Sequence, residues 1–77
     1  MIYLFLAEGF EEIEALTPVD VLRRAGLELK TVAVGKSKTV KGAHGIEVVA
    51  DILENELEAD IPQAIILPGG MPGTINL

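Results

Sequence analysis

Cysteine is absent from this 77-residue chain, and histidine occurs once, at His44. The first absence excludes a disulfide, and the second excludes the usual zinc cluster of cysteines and histidines. Basic residues are few: six Lys and Arg stand against twelve Asp and Glu, for a formal net charge of −6. They form no cluster, which argues against nucleic acid and against anionic membranes as partners. Long apolar runs are missing too. Residues 2–7 are far too short to span a bilayer and lack the basic start of a signal peptide, so they read as a first strand in a cytoplasmic protein. Neither a Gly-Lys-Ser/Thr phosphate loop nor a Gly-x-Gly-x-x-Gly turn after the first strand is present. Ser37, the sole serine, lies in a lysine-flanked turn with no histidine beside it. The chain therefore offers no serine or cysteine nucleophile of its own.

What is present is an ordinary globular composition, 49% apolar. A chain of this length makes one small domain at most and buries only about 60–65% of its unfolded surface. Residues 2–7 are continuously apolar, as in a strand covered on both faces of a parallel sheet. Glu8-Gly9-Phe10 is a turn. Residues 11–25 carry apolar positions at Ile13, Leu16, Val19, Leu22 and Ala25, at helical spacing. Pro18 interrupts them, and Thr17-Pro18-Val19-Asp20 fits a capping box with proline at the first helical position. The pattern predicts a short helical turn from Glu11 and a kink or restart at Thr17, ending at Gly26.

Residues 29–34 read as a second strand. Residues 39–41 and 46–49 alternate around Gly42-Ala43-His44-Gly45, the mark of a hairpin. Residues 51–58 are acidic, either a loop or a short helix; Asp60-Ile61-Pro62 is a breaker; residues 64–67 are a last buried strand. The order strand, helix, strand, hairpin, connection, strand predicts an α/β fold with a mostly parallel sheet. One full helix cannot cover both faces of such a sheet. The chain is thus expected to be about the first half of a doubly wound domain.

Three features could carry chemistry. Pro68-Gly69-Gly70 follows a strand, at the end of a sheet where open α/β folds bind ligands. Glycines there let backbone N–H groups approach a ligand and form an oxyanion hole, or they make a plain tight turn. Glu8, Glu11, Glu12 and Glu14 crowd the helix start, where the dipole alone favours carboxylates. Among them Glu14, one after Ile13 and three before Thr17, is the candidate to turn partly inward. A buried carboxyl at that edge can give or take a proton. His44, between glycines, is a solvent-exposed loop residue or a subunit contact.

The run Ala7-Glu8-Gly9-Phe10-Glu11-Glu12-Ile13-Glu14, then Pro18-Val19-Asp20-Val21-Leu22-Arg23-Arg24-Ala25-Gly26, resembles the opening of the ThiJ/PfpI superfamily, in its Parkinsonism-associated, deglycase-like branch. Leu67-Pro68-Gly69-Gly70-Met71-Pro72-Gly73 with Asn76-Leu77 resembles its second signature, and the hairpin region also fits. The resemblance spans essentially the whole chain, as the N-terminal portion (residues 1–77) of a single domain. It implies a flavodoxin-like α/β fold with helices on both faces, usually a homodimer, and a reactive cysteine downstream of this chain. It assigns Glu14 as the glutamate that hydrogen-bonds the cysteine, and Gly69 and Gly70 as the source of amides beside the thiolate. A carboxyl in that role must carry a proton, and the thiolate it faces is a good nucleophile, readily oxidised.

The implied activity is that of a cofactor-free, metal-free deglycase or glyoxalase on small reactive dicarbonyls. Alternatives within the family are a redox-responsive chaperone or stress sensor, an intracellular protease-like member, or one linked to thiamine biosynthesis. The 77 residues alone are expected to be inactive, with the remaining half supplied by the parent protein or as a separate chain.

Overall fold

A computed structural model describes residues 1–57 and 62–69. Strand β1 (Ile2–Leu6) leads into helix α1 (Glu12–Arg24) and strand β2 (Leu29–Ala33). Strands β3 (Thr39–Lys41) and β4 (Glu47–Val49) follow, then β5 (Ile52–Leu53), a single 3-10 turn (Glu54–Glu56) and β6 (Ala64–Ile66). Four strands form one sheet in the order β5-β2-β1-β6, every pair parallel. The expected α/β class with a parallel sheet is therefore what forms. Strand β1 is central, with Leu4 opposite Thr31 on one side and Ile66 on the other. Strands β3 and β4 make the expected antiparallel hairpin, Val40 facing Val48.

The core is small. Leu4, Leu6, Phe10, Ala15, Ala33, Val40 and Ala50 are buried together, with Val19, Val48, Leu53 and Ile66 packed against them. Leu4 and Leu6 are fully buried, each removing apolar surface worth about 1.5–3 kcal/mol from water.

Helix α1 differs from expectation in two ways. It runs unbroken through Pro18, with no restart at Thr17. Pro18 has no amide hydrogen, so the Glu14 carbonyl lacks its ordinary helical donor. Strong ends compensate. The Glu11 side chain caps the start by accepting from the Ile13 amide at 3.2 Å. At the other end Gly26, at φ +83°, donates to the Arg23 carbonyl and Leu27 donates to that of Leu22. That is the Schellman pairing, with Ala25 as cap and Gly26 just beyond it.

The second difference is rotational. Ile13 and Leu16 face outward, Ile13 at 74% exposure, and the row turned to the core is Glu12, Ala15, Val19 and Leu22. Those positions advance by three, four and three, so they form a proper stripe one residue out of step with the apolar one.

Two further expectations are corrected. Residues 51–53 contribute a short strand rather than a loop or helix. Asp51 holds it in place: its Oδ2 accepts from the Thr31 amide, the Thr31 hydroxyl and Arg23 Nη2 at 2.9, 3.1 and 2.6 Å. Strand β6 is not buried. It pairs only with β1, and Ile65 and Leu67 are more than half exposed because no described element covers them. Glu58, Asp60, Ile61 and the second glycine turn at residues 71–73 lie outside the described residues.

Candidate functional site

The turn from β1 to α1 gathers the candidate residues. Gly9, at φ +85°, makes the bend, and Phe10 folds beneath it, 1% exposed. Three backbone hydrogen bonds then fasten distant segments to the bend. Gly9 donates to the Lys41 carbonyl at 2.9 Å, Ala43 to that of Phe10 at 2.8 Å, and Glu11 to that of Gly69 at 2.8 Å. The hairpin loop and the end of β6 thus converge on the N-terminus of α1, at the carboxyl end of the sheet.

Glu14 and Gly69 meet there. A Cβ placed on Gly69 would lie 2.6 Å from Glu14 Oε2, so the carboxylate rests directly on the glycine backbone. Glu14 is solvent-exposed along the rest of its side chain, not turned inward as the sequence suggested. Gly69 also lines an apolar groove of about 610 Å³ with Phe5, Val34, Ile65, Leu67 and Pro68. Gly70 lies outside the described residues.

The four clustered glutamates have separate tasks. Glu8 Oε1 accepts from the Lys41 amide at 3.2 Å, and Glu11 caps the helix. Glu12 is the buried one, 4% exposed. Its Oε2 accepts from the amides of His44 at 2.8 Å and Ile46 at 3.3 Å, and its Oε1 lies 2.8 Å from His44 Nδ1. Burial by itself would raise the Glu12 pKa, but these hydrogen bonds outweigh it and hold the carboxyl at about 2. His44 is raised in turn, first by its hydrogen bond to Glu12 and then by the charges of Glu11 and Glu12. The loop fits only because residue 42 is glycine, since a Cβ there would overlap the Glu12 carboxylate.

His44 is therefore exposed, as expected, yet held on one side. Sequence reasoning passed over Glu12. The available signal was its place three residues before Ala15, opposite a loop whose glycines leave room for a carboxylate. Among the described residues, Glu11, Glu12 and His44 are also the group whose ligand atoms lie close enough to share a cation.

No helix among the described residues is long and apolar enough to cross a membrane. Comparison with known proteins agrees with the fold and with the arrangement of turns. Protein DJ-1 homolog B of Arabidopsis thaliana is 40% identical over 68 residues, which are 88% of this chain and 16% of that protein. A deglycase of Thermococcus kodakarensis is 30% identical over 69 residues, 90% of this chain and 41% of that one. Among solved structures, a cysteine-to-alanine mutant of a DJ-1 superfamily protein from Salmonella typhimurium superposes with a TM-score of 0.94 at 39% identity. The superposition covers 97% of this chain and 40% of the Salmonella chain. The chain thus spans well under half the length of each of these relatives. A profile of the DJ-1/PfpI family matches residues 1–77 throughout, and the chain belongs to that family.

Proposed function

We propose that residues 1–77 are the N-terminal part of a single DJ-1/PfpI-type domain whose intact form is a cysteine-dependent deglycase or glyoxalase acting on small reactive dicarbonyls. The observation that carries this reading is the contact of the Glu14 carboxyl with Gly69 at the carboxyl end of the parallel sheet. In the proposed site a cysteine from outside these residues sits over that contact. Glu14, protonated, donates a hydrogen bond to the thiolate, and amides at Gly69 and Gly70 stabilise the oxyanion formed when the thiolate attacks a carbonyl. No metal or organic cofactor takes part.

The remainder of the domain packs over the exposed side of β6, where Ile65 and Leu67 now face solvent. The protein works in the cytoplasm as a homodimer, joined through the outer face of α1 and the hairpin with His44 near the contact. The exposure of Ile13, Leu16, Ile46 and Val49 on that side supports this surface. The Thermococcus relative's designation as a deglycase supports the reaction class.

The test is lactate formation from methylglyoxal by the intact protein and its Glu14→Gln variant. Loss of turnover on the order of 10²-fold is expected for a general acid–base group. Unchanged turnover together with an unchanged cysteine pKa refutes the role of Glu14. Peroxide-dependent suppression of aggregation, with no dicarbonyl turned over, reassigns the protein as a redox-responsive chaperone.

A further inference from the structure

We propose that Glu11, Glu12 and His44 form a divalent-cation site suited to Zn²⁺. The three ligand atoms lie within 4.8 Å of one another, two from the start of α1 and one from the hairpin loop. Each carboxylate has one oxygen anchored and one aimed at the ring. Glu11 Oε1 is held by the Ile13 amide, which leaves Oε2 3.7 Å from His44 Nδ1. Glu12 Oε2 is held by the amides of His44 and Ile46, which leaves Oε1 2.8 Å from the same nitrogen. Anchoring of this kind is what orients carboxylates in metal sites.

Ligands about 2.0–2.2 Å from a common zinc stand roughly 3.3–3.5 Å apart in a tetrahedron. The Glu12–His44 pair need open only slightly and Glu11 close by a small side-chain rotation. The donor set of two carboxylates and one imidazole matches the 2+ charge. The imidazole favours Zn²⁺ over Mg²⁺ and Ca²⁺, which prefer oxygen alone, and the lack of thiolate removes any preference for soft monovalent copper. On binding, Nδ1 gives its lone pair to the metal and the ring proton resides on Nε2. His44, 68% exposed, leaves the remaining positions open to water. The cation would tie α1 to the hairpin, a link that a chain without cysteine makes no other way.

This site is separate from the Glu14–Gly69 contact, so its failure leaves the proposed reaction untouched. The experiment is a ¹H NMR titration of the chelator-treated 77-residue chain with Zn²⁺. His44 is its sole histidine, so the ring signals need no further assignment. Saturable shifts at one Zn²⁺ per chain are expected, unaffected by excess Mg²⁺. Glu11→Gln should weaken binding at least tenfold, about the smallest loss seen even for outer-shell partners. Ring signals that do not move with Zn²⁺, that move equally with Mg²⁺, or that titrate identically in Glu11→Gln overturn the proposal. The wild-type titration decides the question even if the variant does not fold.

Discussion

Replacing Gly69 with alanine separates a functional contact from a structural one. The new Cβ would lie 2.6 Å from Glu14 Oε2, whereas ordinary contact begins at 3.4 Å, so the carboxylate must retreat by about 0.8 Å. The atom displaced is the end of a flexible, solvent-exposed side chain, so the fold should tolerate the change. Surface substitutions of this kind usually alter stability by less than about 0.5 kcal/mol. Catalysis is far less tolerant, since a misplacement near 1 Å can cost about 10²-fold in rate, or roughly 2.7 kcal/mol of barrier.

The assay is methylglyoxal turnover by intact wild-type and Gly69→Ala protein, alongside urea unfolding of both. We expect superimposable unfolding curves and a rate reduced on the order of 10²-fold. A Gly69→Ala/Glu14→Gln double variant should be no slower than the slower single variant, because both changes remove one interaction. Equal turnover in wild type and Gly69→Ala, at equal stability, would refute the role given to the contact.

Other consequences concern stability. The Glu12–His44 clamp should give the metal-free chain a bell-shaped dependence of Tm on pH. The depressed Glu12 pKa contributes stability above the unfolded value of 4.5 that is lost as pH falls toward 2. The raised His44 pKa contributes stability fully present below the unfolded 6.5 and lost as pH climbs through the higher folded value. Thermal melts in a chelator from acid to alkaline pH should peak between those limits, and His44→Gln should flatten the alkaline limb; an unaltered limb contradicts the clamp. Gly26→Ala places a side chain at φ +83° and should cost about 1 kcal/mol in urea unfolding, and a neutral result would mean the helix end relaxes freely. Leu4→Ala empties the centre of β1 and should cost about 2–5 kcal/mol, enough to leave so small a domain largely unfolded by circular dichroism.

The amino-acid sequence by itself determined the α/β order, the parallel sheet, the hairpin and the two signature turns. These follow from apolar period and glycine placement, which act between residues near in the chain. The capped ends of α1 were legible for the same reason. Tertiary structure alone decided which of four neighbouring glutamates is buried. Docking of α1 turned the Glu12–Ala15–Val19–Leu22 row inward, one step from the apolar stripe, and brought Glu12 to a loop 32 residues away. It also decided that Pro18 leaves the helix whole, that β5 joins the sheet through Asp51, and that β6 stands at its edge with Ile65 exposed. Each depends on partners far apart in sequence, whose hydrogen bonds and shared burial exist only once the strands have paired.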